Sequence, residues 1–331
     1  MGVYHVSGLG LSPGAVTVPL SAVYILKAAA QFGHQRAIDF FSRSGEHHNE
    51  REGKEGSSEN DANRGLPEVI IILDSREAIE GKLPVSYESH WFRMKAEKKP
   101  EPVYKPITKY LCKLIETLNN AGATVKPPKE FYALSVNHQD FEDVLDKAGM
   151  LFYGLRDKEI WVNLIGGSNQ VNLGLMIAGA TTPLLSWRYY YMAQNNIRLL
   201  EPEDLPVPKD ERTVLKIAGI LLDRWYDILP LNIGLGNIIQ KLVNHFQASN
   251  FISENQLNKI VKGNRNLINK LLSSGYLVER PGGFTVGPTF KKTGAIFHRL
   301  LNVYPSTITN TVIWKNKAKE LGILKEVDFQ C

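Results

Sequence analysis

Apolar runs of strand length alternate with helical patterns over the first 200 of the 331 residues. This alternation is typical of a doubly wound α/β fold, in which helices cover both faces of a mainly parallel sheet. In such a sheet, ligands bind where the carboxyl ends of the strands open into a crevice. The strand-like runs are residues 3–6, 68–74, 124–126, 160–165 and 184–192, and the helical patterns are residues 18–41, 107–120, 141–147 and 171–180.

A glycine-rich segment, residues 8–14 (GLGLSPG), joins the first strand to the first helix and is called the first glycine turn. A turn of this kind collects backbone N–H groups and the positive end of a helix dipole, which suits a phosphate. The segment lacks the Gly-Lys-Ser/Thr ending of a P-loop, and Pro13 stands where the dinucleotide fingerprint has glycine. It therefore predicts a phosphate without naming the ligand, and a plain strand-to-helix connection is the alternative.

A second glycine turn, residues 166–170 (GGSNQ), follows the strand-like run 160–165 and precedes the apolar helix 171–180. Because parallel strands end at the same edge of a sheet, both turns are expected to open into one crevice. Two glycine turns at strand ends indicate a shared anion site more strongly than either turn alone.

Composition is ordinary for a soluble globular protein, with 43% hydrophobic and 22% charged residues. The longest apolar runs, such as residues 69–73, are too short to span a bilayer, and no leader pattern opens the chain. We therefore expect a cytoplasmic protein with no membrane partner. The two cysteines, Cys112 and Cys331, suggest neither a disulfide framework nor a metal cluster, which fits a reducing compartment.

The length and the charge distribution predict two domains. Residues 1–210 hold 23 Lys and Arg against 26 Asp and Glu, whereas residues 211–331 hold 16 against 8. A proline-rich acidic segment suggests a linker at 201–211, between domains at 1–200 and 212–331. Residues 42–64 have no apolar periodicity and are expected to form a surface insertion.

The second domain is predicted to be mostly helical and to contain a winged helix-turn-helix. Ser253 precedes a helical pattern as an N-cap, Asn264 precedes another, and residues 276–286 have the pattern of a hairpin. Basic residues fall on the second helix, its entry and the wing, where DNA contacts would be made: Lys262, Arg265, Lys270 and Arg280. A dimerisation scaffold with incidental basic residues is the alternative.

The two glycine turns together resemble the paired motifs of CARF domains, the Rossmann-like ligand sensors of type III CRISPR systems. The resemblance rests on residues 8–14 and on residues 163–169 (NLIGGSN), and it covers about residues 1–200. A CARF domain followed by a winged helix is similar to archaeal CRISPR ring nucleases and also to CARF-type transcription regulators.

The resemblance implies a homodimer that binds cyclic tetra-adenylate across its twofold axis. The apolar content of the helical patterns at 171–180 and 213–229 also favours a dimer. A ring of four equivalent nucleotides matches twofold symmetry. Ring nucleases of this kind need no metal or cofactor, because the ribose 2′-hydroxyl attacks its own 3′-phosphate and leaves a 2′,3′-cyclic phosphate. The alternative is a cyclic-oligoadenylate sensor that binds DNA.

Carried over by position, the resemblance assigns catalysis to Ser12 and Asn169. The family's second motif usually ends in Thr-Lys, where this chain has Ser168-Asn169, so a cation that stabilises the transition state is missing. Arg93 or Lys105, in the loop after the second strand, would replace it, unless both are ordinary solvated charges. The expected ligand contacts are Gly10, Leu11, Pro13, Gly14, Arg93, Lys105, Gly166, Gly167, Ser168 and Gln170.

Overall fold

The computed structural model describes residues 2–42, 65–85, 88–89, 94–95, 99–156, 158–182, 186–192, 206–228, 235–290, 311–329 and 331. Apart from its first residue, the predicted insertion at 42–64 lies outside these ranges. Two pairs of two-residue strands link 84–85 to 99–100 and 88–89 to 94–95.

The larger elements are labelled in chain order. The first are β1 (Val3–Gly8), α1 (Gly14–Gln31), α2 (Gln35–Ser42), β2 (Pro67–Asp74), α3 (Arg76–Ile79), α4 (Tyr104–Asn120), β3 (Glu130–Ser135), α5 (Phe141–Gly154), β4 (Glu159–Asn163), α6 (Asn169–Thr181) and β5 (Ser186–Met192). Further along are α7 (Glu211–Arg224), β6 (Trp225–Ile228), α8 (Leu235–Ala248), β7 (Phe251–Ser253), α9 (Glu254–Ile260), α10 (Arg265–Ser273), β8 (Leu277–Arg280), β9 (Gly283–Val286), α11 (Thr311–Glu320) and β10 (Leu324–Val327).

Seven strands form one sheet in the order β6-β5-β4-β1-β2-β3-β10. The inner five strands are parallel, and the edge strands β6 and β10 are antiparallel to their neighbours. In chain order, β2 and β3 follow β1 on one side of it, whereas β4 and β5 lie on its other side. The point where the direction reverses therefore lies between β1 and β4. The predicted mainly parallel α/β sheet is confirmed.

Both faces of the sheet are covered by helices. Alternate residues of β2 divide between two cores: Ile70 and Ile72 face one, and Ile71 and Leu73 face the other. On the first face pack α1, α2, α4 and α7, whereas α5, α6 and α11 pack on the second. Since β2 is buried on both faces, its sequence is a nearly continuous apolar run.

A third, smaller core belongs to residues 235–290. Here β7, β9 and β8 form an antiparallel sheet in that order, packed against α8, α9 and α10. Ser253 begins α9 with a capping box, and the Asn264 side chain accepts the first N–H groups of α10. Leu257, Leu271 and Phe284 are buried at its centre.

Elements that follow the predicted linker also pack on the large sheet. Residues 206–210 of the linker segment lead directly into α7, whose apolar face is buried on the sheet, and β6 then pairs with β5. Residues 311–327 also return to the sheet as α11 and β10. The predicted helical pattern at 213–229 therefore ends at residue 224, and its apolar side is not available to a partner chain.

Two element predictions were also wrong. The helical pattern 18–41 is divided into α1 and α2 by a turn at Gly33, where φ is +83°. The strand expected at 124–126 lies later, at residues 130–135, because those residues are the ones that pair with β2.

The two cysteines are joined, contrary to expectation. Cys112 on α4 and Cys331 after β10 form a disulfide with a Cα–Cα distance of 5.0 Å and a sequence separation of 219 residues. The edge pairing of β10 with β3 carries the end of the chain to α4. Within the described ranges, no single helix is long and apolar enough to cross a membrane, and α1 and α2 reach that composition only as a pair bent by 119°.

Candidate functional site

The two glycine turns meet at the carboxyl ends of β1 and β4, which are neighbours in the sheet. Ser7 at the end of β1 is in register with Asn163 at the end of β4. This is the point where the strand order reverses, and open α/β sheets bind their ligands there.

Backbone packs directly on backbone where the turns meet. A Cβ atom added to Gly166 would lie 2.3 Å from the carbonyl oxygen of Gly8. Gly167 has φ +84°, and a Cβ there would lie 3.0 Å from the Cα of Gly8. A larger residue at either position would push the turns apart, so the glycines hold the two turns together.

Asn163 ties the two turns to the first helix. Its buried Nδ2 donates to Ser7 Oγ at 2.7 Å and to the Ala15 carbonyl at 2.8 Å, while its Oδ1 accepts the Ile165 N–H at 3.0 Å. A buried amide satisfied on both sides fixes its surroundings. Sequence reasoning did not assign Asn163 a role at the site, although an asparagine ending an apolar strand before glycines was a usable signal.

The start of α6 presents the second turn to solvent. Ser168 is its N-cap, since the Ser168 Oγ accepts the Val171 N–H at 3.3 Å. Asn172 donates from Nδ2 to the Leu164 carbonyl at 3.3 Å, which anchors the first helical turn to the end of β4. Asn169 and Gln170 are exposed. The N-terminus of α6 therefore lies beside two exposed amide side chains.

The start of α1 lies beside it. Pro13 occupies the N-cap position and is buried, and in the described structure no side chain caps this helix. Ser12 is exposed, and Leu11 next to it is 45% exposed. Since α1 and α6 both begin at this edge, the positive ends of two helix dipoles meet here, and the arrangement can hold an anion.

Asp74 adds a buried carboxyl group at the end of β2, the strand next to β1. Burial raises its pKa to about 7. Its Oδ1 accepts the Ser75 N–H at 2.7 Å, and its Oδ2 has no hydrogen-bond partner among the described residues. Asp74 follows the alternation of Ile70 and Ile72, so it faces the side of the sheet that α1 covers. This residue was not predicted, although an acid ending an apolar strand was visible in the sequence.

His5 lies deeper on the same strand as Ser7. Burial, reinforced by the charge of Arg188, lowers the pKa of His5 to about 3. The imidazole is therefore neutral at ordinary pH, with Nδ1 3.2 Å from the Tyr190 hydroxyl. His5 therefore supplies no positive charge beneath the turns.

Of the two expected cations, Lys105 is not brought to the turns. Lys105 is exposed at the start of α4 and lines a separate cleft of about 610 Å³ between α4 and β10. That cleft is lined also by Lys109, Lys325 and the disulfide, and by no residue of either glycine turn. Arg93 lies outside the described residues. Positive potential at the described part of the site therefore comes from helix N-termini and backbone N–H groups.

Comparison with known proteins gives one full-length relationship. No protein-family model matches the chain. An uncharacterized protein of the archaeon Archaeoglobus fulgidus is 35% identical over 333 residues, which cover 99% of this chain and 98% of that protein. The chain belongs to the family of that archaeal protein. Because the similarity runs from end to end, the family shares the sheet and the segment 235–290 as one polypeptide, not one unit alone.

Proposed function

We propose that this protein is a CARF-type ring nuclease, which binds cyclic tetra-adenylate and opens the ring without metal or cofactor. The observation that carries the proposal is the meeting of two glycine turns and two helix N-termini at the reversal point of the sheet. The resemblance of both turns to CARF motifs gives the ligand. The proposed setting is the cytoplasm, with no membrane partner.

A homodimer would complete the site. Leu11 on the first turn and Leu173 on α6 are 45% and 51% exposed, and both lie next to the proposed anion site. Apolar side chains exposed beside a polar site favour a protein interface. If two copies meet there about a twofold axis, each pair of turns contacts two chemically equivalent phosphates of the ring.

The proposed reaction uses a nucleophile from the substrate. The bond from the ribose 2′-oxygen to phosphorus forms while the bond from phosphorus to the next 5′-oxygen breaks, and the products carry a 2′,3′-cyclic phosphate and a 5′-hydroxyl. Ser12 Oγ is exposed at the start of α1 and would hold the reacting ribose or phosphate in line. Asn169 would donate its amide to the phosphate.

Charge stabilisation would come from the protein backbone. Asn169 stands where the family usually has lysine, and a neutral amide supplies no full charge. The N-termini of α1 and α6 each carry roughly half a positive charge. Donors fixed before the reaction stabilise developing negative charge without reorganising, so the proposed enzyme would be slow but functional.

The direct test is incubation of the purified protein with labelled cyclic tetra-adenylate in EDTA. Linear products ending in 2′,3′-cyclic phosphate are expected, and Gly167→Val should abolish their formation by separating the turns. Gly219→Ala is the matched control, because a Cβ there meets nothing within 4 Å. An intact ring after hours with the wild-type protein would contradict the proposal.

A second function is favoured by residues 235–290. Their order of helix, strand, two helices and a hairpin supports a winged helix, with α10 as the recognition helix. The basic residues expected to contact DNA are exposed: Lys262, Arg265, Lys270 and Arg280. The protein would then be a regulator in which ring binding changes DNA affinity.

Fluorescence anisotropy with the protein's own promoter DNA tests this alternative. Arg265→Ala and Arg280→Ala should weaken DNA binding, whereas Lys241→Ala, an exposed lysine on α8, should have a smaller effect. Tight ring binding without cleavage, together with ring-dependent DNA affinity, would favour the regulator over the nuclease.

A further inference from the structure

Two exposed tyrosines lie side by side on the edge strand β6 and on its neighbour β5. Tyr191 is 37% exposed and Tyr226 is 55% exposed. They are directly opposite each other in the antiparallel register of the two strands. Cβ atoms of directly opposite residues lie about 5 Å apart, and these two residues are called here the tyrosine pair.

The tyrosine pair lies beside the second glycine turn. The Leu164 N–H donates to the Tyr190 carbonyl at 3.1 Å, where β4 ends. Tyr191 is the next residue of β5, so it is one strand spacing, about 5 Å, from Leu164. The turn itself begins two residues after Leu164.

The tyrosine pair lies on the face of the sheet that α6 covers. The Tyr189 hydroxyl donates to the Leu175 and Met176 carbonyls of α6. Tyr191 is two residues further along the strand and therefore lies on the same face. The tyrosine pair thus flanks the first half of α6, whose exposed N-terminus is half of the proposed anion site.

The opposite face of β5 and β6 carries contacts that hold the two strands together. There the rings of Tyr190 and Trp225 stack with centroids 4.2 Å apart. Arg188 pairs with Asp227 across the same two strands, with Nη2 to Oδ2 at 2.7 Å. These contacts fix β6 to β5, so the two exposed rings are held in position without helping to form the core.

We infer that Tyr191 and Tyr226 form a stacking surface for an adenine base of the ring nucleotide, and this inference rests on the proposed function. A nucleotide whose phosphate binds at the start of α6 carries its base within reach of the neighbouring strands. Every base has a flat π-face, and stacking on an exposed aromatic ring contributes to binding without a change in backbone. Tyrosine loses little rotamer freedom on binding, which suits it to this task.

Calorimetry with cyclic tetra-adenylate tests the inference. Tyr191→Ala and Tyr226→Ala should each weaken binding by about fivefold to a hundredfold. Tyr191→Phe and Tyr226→Phe should bind like the wild type, since phenylalanine keeps the ring. Phe251→Ala is the control, because Phe251 is an aromatic residue 39% exposed on β7, outside the large sheet.

The outcomes separate the two proposals. Wild-type protein that fails to bind the ring overturns the proposed function and this inference with it. Wild-type protein that binds the ring, with both alanine variants equal to Phe251→Ala, overturns the stacking surface alone. Thermal unfolding of each variant guards against misfolding, and if an alanine variant is unfolded, the decision passes to Tyr191→Leu and Tyr226→Leu, whose side chains keep bulk without a ring.

Discussion

At the scale of single residues, Ser12 is expected to position the substrate for reaction and to contribute little to the affinity for it. Its side chain is exposed at the start of α1, and its carbonyl accepts the Ala15 N–H at 3.1 Å. Ser12→Ala leaves that backbone contact in place and removes only the hydroxyl. We expect ring opening to slow by about tenfold to a thousandfold, the range for loss of one transition-state hydrogen bond, with a much smaller change in Kd. Single-turnover kinetics would measure both, and an unchanged rate would exclude Ser12 from the reaction.

Substitution of Asn169 tests whether the lack of a positive charge at this position limits the rate of ring opening. Because Asn169 is exposed on the first turn of α6, a longer side chain has room there. Asn169→Lys introduces the cation that CARF motifs usually have at this position, so under the proposed function it should speed ring opening several-fold. Gln170→Lys places the same charge one residue later and is the matched control. Equal rates in wild type and Asn169→Lys would show that charge at this position does not limit the reaction.

Asp74 makes stability depend on pH. Its pKa rises from 3.8 to about 7 on folding, so the folded state keeps a proton that the unfolded chain has lost. Stability contributed at low pH is therefore lost as the pH rises from about 4 to 7, with a slope of at most about 1.4 kcal/mol per pH unit. Asp74→Asn removes this loss, so the variant should gain stability relative to wild type across that range. Urea unfolding at pH 5 and pH 8 checks it, and a difference that does not vary with pH would contradict it.

At the scale of elements, the disulfide fastens the edge of the sheet. Cys331 lies just past β10, and its bond to Cys112 ties that edge to α4 across 219 residues of chain. Closing so long a loop restricts the unfolded chain, which in other proteins is worth about 2–5 kcal/mol. Cys112→Ser and Cys331→Ser should therefore lower the free energy of unfolding by similar amounts. Reductant should lower the free energy of unfolding of the wild type to that of the variants and leave the variants unchanged. A wild type whose free energy of unfolding does not respond to reductant would contradict this.

Some elements of the fold could be predicted from the sequence, and others could not. The glycine turns and the parallel strands were predicted because both depend on local residue types, namely glycines after a buried apolar run. Asn163 and Asp74 were missed as site residues because their roles depend on which strands become neighbours. The disulfide and the return of α7 and β10 to the sheet depend on contacts between distant segments, which spacing along the chain does not reveal.

At the scale of the whole molecule, two units of one chain carry separate tasks in this account. The sheet brings the two glycine turns together at its reversal point, and residues 235–290 form a core of their own beside it. The family relationship spans both units. Under the proposed function, one ring would bind to the sheets of both chains. Its binding could then change the arrangement of the two units formed by residues 235–290, one from each chain.

The central claim is that the two glycine turns of paired chains bind one cyclic tetra-adenylate ring. Isothermal titration calorimetry, with light scattering on the same samples, measures this directly. We expect a twofold dimer that binds one ring per two chains. Binding should be lost in Gly167→Val and kept in Gly219→Ala. A stable monomer, one ring per chain, or undiminished binding by Gly167→Val would contradict it.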